Sequence, residues 1–437
     1  MNAVLLSGGS GKRLWPLSND IRSKQFIKFF KKENGEYESM VQRMYRGLKT
    51  ADPNVVITVA TGAKQISELK NQLGDDVGIS KEPNRRDTFP AIVLACAYLV
   101  DVMHVSEEES VVIVPVDPYV EEGYFHALKR LGELAKTSES NLCLMGIKPT
   151  YPSAKYGYII PKTSDEVSEV SMFKEKPDEK TAEEYIKQGA LWNAGVFAFR
   201  IQYLLDKAKE LIDYKGYEDL FNRYSSLERI SFDYAVSEKE NSIAVMQYDG
   251  AWKDLGTWNT LTESIPENIM GKGIMDETCN NVHVINELNV PVLAMGLSDV
   301  VISAGPEGIL VADKHQSSYM KPLVDSIEGQ VMFAEKSWGS YRVLNVEDKS
   351  MTILVTLNPG HSMNYHSHKL RDEVWVVVEG NGTAIVDGNV QNVSAGDVIT
   401  MQAGCRHTVI AEDTLKIVEV QLGEEISVYD KRKHELE

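Results

Sequence analysis

From the first residue to about position 266, short β-branched runs alternate with longer stretches of helical spacing. Residues 3–6, 55–59, 111–116 and 142–145 are apolar runs of strand length, and the spacing between them predicts helices over 37–48, 64–72, 90–103 and 123–136. Strand and helix in alternation imply a mostly parallel sheet covered on both faces, with ligands bound beyond the carboxyl ends of its strands. From about 279 to 312 the pattern changes to short β-branched pieces separated by turn residues. These read either as a few coils of a small β-helix or as the edge of the first domain. From about 329 onward the chain is strand and turn: 374–378, 383–386, 397–400 and 415–421 are strands, and Gly380, Gly382, Gly388, Gly396 and Gly404 mark turns. That pattern predicts a small all-β jelly-roll barrel. The expected division is 1–266, 267–328 and 329–437.

The chain has 437 residues, of which 43% are hydrophobic, enough for two or three ordinary cores. A net charge of −18 argues against nucleic acid and against an anionic membrane surface as partners. Acidity overall does not exclude a phosphate ligand, because only the pocket needs cations. The four cysteines, Cys96, Cys143, Cys279 and Cys405, are widely spaced and form no C-x-x-C pair, which suits a reducing cytoplasm. The longest apolar run, 91–100, is too short for a bilayer and reads as a buried helix. No basic region followed by an apolar core opens the chain, so no signal peptide is expected.

Candidate chemistry starts at the amino terminus. The apolar run 3–6 leads into Gly8, Gly9 and Gly11, flanked by Lys12 and Arg13, with Lys24 following. A strand ending in a glycine loop with nearby cations is suited to cradle phosphate, because backbone amides can approach it closely. The spacing is neither G-x-x-x-x-G-K-[ST] nor G-x-G-x-x-G, which rejects the P-loop and dinucleotide readings. Two aspartates follow strand-like runs: Asp117 after 111–116, and Asp254 within GAWKDLGTW.

The string GGSGKRLWPLS followed by KQF resembles the nucleoside-diphosphate-sugar pyrophosphorylases, most closely the mannose-1-phosphate guanylyltransferases. The resemblance implies that Gly8, Gly9 and Gly11 hold the nucleotide triphosphate while Arg13 and Lys24 act on the reacting phosphates. It implies Asp117 and Asp254 as Mg²⁺ ligands. The segment from Glu82 through Arg86 and Asp87 resembles the nucleotide-binding stretch, with Asp87 where Asn is common. Gly157, Glu175, Lys176, Asn193 and Asp233 fall in segments resembling those that hold the sugar phosphate. Pro118 stands where His usually follows the metal aspartate. The implied reaction joins GTP and mannose 1-phosphate into GDP-mannose and pyrophosphate. Another base or sugar is the alternative.

A second constellation lies in the last segment: Gly360, His366-x-His368, Glu373 and Gly380, then His407 after Gly396 and Gly404. Three imidazoles and a carboxylate at this spacing resemble the two cupin motifs and suit Mn²⁺, Zn²⁺, Fe²⁺ or Ni²⁺. A nucleotidyltransferase followed by a cupin resembles the enzymes that join guanylyltransferase and type II phosphomannose isomerase activities, with Arg371 the candidate to hold the sugar phosphate. Four residues separate His368 from Glu373 where the family has two, and Gln402 and Ala411 replace Pro and Asn. The alternative makes the cupin a non-catalytic sugar sensor or dimerisation module. The expected architecture is thus a Rossmann-like α/β nucleotidyltransferase domain, a short β-helical segment and a cupin, in a cytoplasmic homodimer.

Overall fold

The computed structural model describes residues 1–9, 12–19, 21–327, 329–426 and 430–435. The chain forms two compact units. The first comprises Met1–Gly9, Gln25–Ile66 and Asp75–Pro266; the second comprises Ser10–Lys24, Ser67–Gly74 and Glu267–Glu437.

Among the described residues, the first unit is built on a nine-stranded sheet. Its order is Gly78–Glu82, Val56–Gly62, Asn2–Leu6, Ser110–Pro115, Leu191–Arg200, Leu142–Ile147, Ile243–Tyr248, Val167–Lys174 and Tyr158–Pro161. The first four strands run parallel. Leu191–Arg200 then enters antiparallel to both neighbours, so the sheet is mixed rather than mostly parallel beyond that point. Strands inside the sheet are apolar throughout because helices cover both faces. Val167–Lys174, next to the edge, instead alternates exposed and buried positions over most of its length.

Helix boundaries follow capping chemistry. Ser39 caps Met40–Ala51 by accepting from the Gln42 amide, and Gln42 reaches back to the Ser39 amide. That box starts the helix later than position 37, and Tyr37–Ser39 pairs as a strand with Lys28–Lys31. Thr88–Asp101 is buried along most of its length, from Phe89 through Ala97 and again at Leu99. In-register pairing places Leu6 beside both Ala60 and Pro115. The glycine loop and Asp117 therefore leave the sheet from the same edge.

In the second unit, Ile269–Gly271, His283–Asn286 and Val300–Gly305 stack in parallel, and Gly273–Met275 stacks on Val292–Ala294. Val284, Ala294 and Ile302 fill the interior of this short β-helical stack. Gly271 is obligatory there, with φ +84° and no room for a Cβ, which would collide with the Asn286 carbonyl oxygen.

The barrel that follows has two facing sheets. One contains Gly339–Glu347, Ser350–Leu357, Leu415–Leu422, Asp372–Glu379 and Val398–Met401; the other contains Asn389–Ser394, Asn381–Val386, His407–Ala411, His366–Ser367 and Arg432–Lys433. Alternation decides what enters the barrel. Met351, Ile353, Val355 and Leu357 point inward from one strand, Glu373, Trp375 and Val377 from another, and Leu415, Ile417, Glu419 and Gln421 from a third. A carboxylate at Glu373 is thus carried inside by the same period that buries Trp375. No helix among the described residues is long and apolar enough to cross a membrane.

Leu144 is fully buried on an interior strand of the large sheet. Leu144→Ala is expected to lower stability by about 2–5 kcal/mol through lost transfer energy and a residual cavity, measurable by urea unfolding. A change below ~1 kcal/mol would show that the site refills.

Candidate functional site

The glycine loop is pinned from below. The Ser7 carbonyl accepts from Gln25 Nε2 at 3.1 Å and from Thr61 Oγ1 at 3.2 Å, and the Gly9 carbonyl accepts from Gln65 Nε2 at 3.1 Å. Gly8 and Gly9 are exposed, and Gly9 takes φ +119°, a conformation that favours glycine. Gly11 lies outside the described residues. Arg13, exposed on the turn Lys12–Leu14, and Lys24, half-buried at the start of the turn Lys24–Phe26, belong to the second unit.

A cavity of about 240 Å³ in the first unit gathers most of the other sites expected there. Its lining includes Asp117, Asp254, Gly157, Glu175, Asn193 and Asp233. A short antiparallel ladder brings the two aspartates to one wall: Pro118–Val120 pairs with Trp252–Asp254, setting Asp254 opposite Pro118, the residue after Asp117. Elsewhere in the lining, a register shift between Asn193 and Phe197 breaks the ladder with Leu142–Ile147. The Asn193 amide donates to Asp233 Oδ1 at 2.8 Å, and Asn193 Oδ1 accepts from the Gly195 amide at 3.0 Å. Asp233 opens a single π-helical turn, Asp233–Ser237. Lys176 Nζ donates to Glu175 Oε1 at 2.5 Å. A Cβ at Gly157 would stand 2.5 Å from Glu175 Oε2, so a larger residue there would displace that carboxylate.

Electrostatics concentrate on Asp233. Burial pushes its carboxyl well above the ordinary range and the nearby Glu175 adds to the shift, while Lys176 and Asn193 oppose it. The lining also includes Lys155, Tyr156 and Trp252, which were not among the expected site residues. Tyr156 packs between Trp192 and Trp252, with ring centroids 4.7 and 5.8 Å away. The available signal was their position beside Gly157 and Asp254 in the motif segments.

Glu82, Arg86 and Asp87 gather separately. Glu82 Oε2 accepts from the Tyr224 hydroxyl at 2.9 Å, and burial raises the Glu82 carboxyl. The Arg86 guanidinium donates to the Ser225 carbonyl. Asp87, at φ 70°, caps Thr88–Asp101 by accepting from the Thr88 amide at 2.9 Å, so here it serves the helix end.

In the barrel, His366, His368 and His407 are each at most 4% exposed, and their ligand atoms lie within 4.8 Å of one another. Each Nδ1 faces a backbone carbonyl: Asn364 for His366, Asp430 for His368 and Cys405 for His407. A carbonyl only accepts, so each Nδ1 carries a proton, and a ring that is neutral presents its Nε2 lone pair. Burial holds His366 and His368 far below their usual values, to about 2 and about 4, which keeps them neutral. Glu373 Oε1 lies 3.2 Å from His368 Nε2, and Oε2 lies 3.1 Å from His407 Nε2. Among the described residues, His407 Nε2 is buried and has no hydrogen-bond partner other than the facing Glu373 carboxylate. Lone pairs facing carboxylate oxygens in a buried site call for a cation, and this donor set fits a divalent transition metal. Arg371 joins the cluster itself, with Nε 2.9 Å from Glu373 Oε1 and Nη2 3.0 Å from His368 Nε2. Glu419, also buried here, accepts from Trp375 Nε1 and Gln421 Nε2; strand alternation could have found it.

Because Asp233 is raised in the folded state, its ionisation costs stability progressively as pH climbs from the unfolded carboxylate value through the folded one. Asp233→Asn removes that cost. Its gain in Tm over wild type is expected to be larger at pH ~8.5 than at pH ~5, by scanning calorimetry at both pH values. An equal gain at both would show that Asp233 titrates normally.

Residues 2–269 match the family model described as nucleotidyl transferase, and residues 353–421 match the cupin domain. Mannose-1-phosphate guanylyltransferase ManC of Salmonella typhimurium is 28% identical, over 96% of this chain and 94% of its own. The alginate biosynthesis protein AlgA of Pseudomonas fluorescens is 29% identical, over 100% of this chain and 96% of its own. A crystal structure described as mannose-1-phosphate geranyltransferase from Thermus thermophilus superimposes with a TM-score of 0.61 at 26% identity, covering 74% of this chain and 98% of that one. With the glycine loop, the ladder of aspartates and the match over 2–269 together, the chain belongs to the nucleotidyl transferase family and carries a cupin domain at its C-terminal end.

Proposed function

We propose that the first unit transfers guanylyl from GTP to mannose 1-phosphate, giving GDP-mannose and pyrophosphate. The observation that carries this reading is the single cavity where Asp117 and Asp254 face Glu175, Asn193 and Asp233. A phosphate oxygen of the sugar attacks the α-phosphorus, the bond to the α,β-bridging oxygen breaks, and pyrophosphate leaves with the electron pair. Little covalent work falls to the protein, so its task is positioning and charge neutralisation. Glu175, Asn193 and Asp233 hold sugar hydroxyls against Gly157, and Tyr156 with Trp252 forms an aromatic wall for the apolar face of the ring. Gly8, Gly9 and Gly11 cradle the triphosphate, and Arg13, Lys24 and Lys176 neutralise phosphate charge. Glu82, Arg86 and Asp87 contact the base and ribose. Asp117 and Asp254, an all-oxygen donor pair, would hold Mg²⁺, which supplies further neutralisation on the phosphates.

For the cupin, the proposal is a transition-metal site (Mn²⁺, Zn²⁺, Fe²⁺ or Ni²⁺) held by His366, His368, Glu373 and His407 that interconverts mannose 6-phosphate and fructose 6-phosphate. A neighbouring cavity of about 550 Å³, lined by His368 with Lys369, Arg406, Lys431 and Arg432, supports an anionic sugar as its occupant. The division into 1–266, 267–328 and 329–437, a homodimeric state and a cytoplasmic location belong to the same proposal.

Asp117→Asn is expected to lower turnover by roughly two or more orders of magnitude with an unchanged far-UV spectrum, by continuous assay of pyrophosphate release. Near-normal release would remove Asp117 from the site. Replacing His366 and His368 together by Ala should abolish transition-metal retention, read by elemental analysis. Metal-loaded wild type that does not isomerise mannose 6-phosphate would leave the cupin a sensor or dimerisation module.

A further inference from the structure

Residues 430–434 return to the metal cluster along the edge of the smaller barrel sheet. Arg432–Lys433 pairs antiparallel with His366–Ser367, placing Lys433 opposite His366 and Arg432 opposite Ser367. The His434 amide donates to the Tyr365 carbonyl at 2.9 Å, and His434 Nε2 lies 2.8 Å from Ser367 Oγ. Asp430 contributes most. Its carboxylate accepts from the Lys369 amide at 2.9 Å and the Leu370 amide at 2.8 Å, clasping the loop between His368 and Arg371. Its own carbonyl is the acceptor for His368 Nδ1.

These contacts do one thing together. The carboxylate anchors Asp430 to the His368–Arg371 loop, and the anchored carbonyl fixes which nitrogen of His368 is protonated. Nε2 is then the only atom the ring can offer to the cluster. Histidine ligands whose second nitrogen is held this way bind metal more tightly, and loss of the holding group costs affinity. We propose that Asp430 is a positioning residue of the cupin metal centre, so that the C-terminal strand is part of the site. The inference rests on His366, His368, Glu373 and His407 being metal ligands.

The test is Co²⁺ binding by the full-length chain, followed through affinity and the visible ligand-field spectrum. Asp397 serves as the control: it also clasps a backbone amide with its carboxylate, that of Ser394 at 2.7 Å, in a turn of the same domain. Asp430→Ala is expected to weaken Co²⁺ binding by about 10–100-fold and to alter the spectrum, whereas Asp397→Ala leaves both unchanged. Asp430→Asn keeps one acceptor for the loop amides and should recover part of the loss. Should Asp430→Ala fail to fold, Asp430→Asn decides, with an altered spectrum and several-fold weaker binding expected. Binding within ~3-fold of wild type with the same spectrum in the folded Asp430 variant, or an equal loss in Asp397→Ala, overturns the proposal. Wild type that binds no Co²⁺ overturns the metal reading itself, and this inference with it.

Discussion

Two carboxylates placed on one wall of a cavity are the constraint around which the first unit is arranged. Like charges repel, and nearby cations, hydrogen-bond donors or a shared proton relieve that repulsion. The protein brings them together with a ladder of three residue pairs, Trp252 with Val120, Lys253 with Tyr119 and Asp254 with Pro118. The large sheet sets the origin of one side of that ladder, because Ser110–Pro115 ends just before Asp117. The same edge releases the glycine loop through the in-register pairing of Leu6 with Pro115. The loop and Asp117 thus follow from where parallel strands stop, the usual logic of ligand binding in open α/β sheets, whereas Glu175 follows the antiparallel strand Val167–Lys174 and Asp233 opens a π-helical turn.

The barrel solves a related problem by different means. Alternation on Asp372–Glu379 buries Glu373 along with Trp375, and buried carboxylate charge requires partners. Arg371 supplies one, and the histidines supply lone pairs rather than protons because their other nitrogens are committed to carbonyls. Arg371 meets Glu373 Oε1 and His368 Nε2, while Glu373 Oε2 and His407 Nε2 are left facing each other. Such a set is costly unless a cation completes it, and that cost is the physical case for a metal.

Much of this was legible in the residues. His-x-His with a later Glu and His suggests a metal site by residue type and spacing, whereas the roles of the glycines after an apolar run and the aspartates after strands rested on the family resemblance. The α/β domain and the barrel followed from changes in hydrophobic period, whereas the period of 279–312 left a β-helix or a domain edge open and the family resemblance chose the β-helical stack. Other features were hidden for identifiable reasons. The apolar run Leu191–Arg200 carries no mark of direction, so its antiparallel entry could not be read from its composition. Ser39 and Gln42 delayed a helix whose apolar period begins earlier. Tyr156 and Trp252 lie in the motif segments beside Gly157 and Asp254, but only the fold shows both in the lining of one cavity. Asp430 is remote in sequence from His368, and only strand pairing at the sheet edge joins them.

The central claim is that the cavity joins a guanine nucleotide to mannose 1-phosphate. It is tested most directly by supplying the purified chain with Mg²⁺, mannose 1-phosphate and equal amounts of GTP, ATP, UTP, CTP and dTTP, and following products by ³¹P NMR. The account predicts GDP-mannose and pyrophosphate in equal amounts, with GTP consumed ahead of the other nucleotides. Preferential consumption of another triphosphate would contradict the guanine assignment, and no nucleotide sugar from any of them would contradict the account of the cavity.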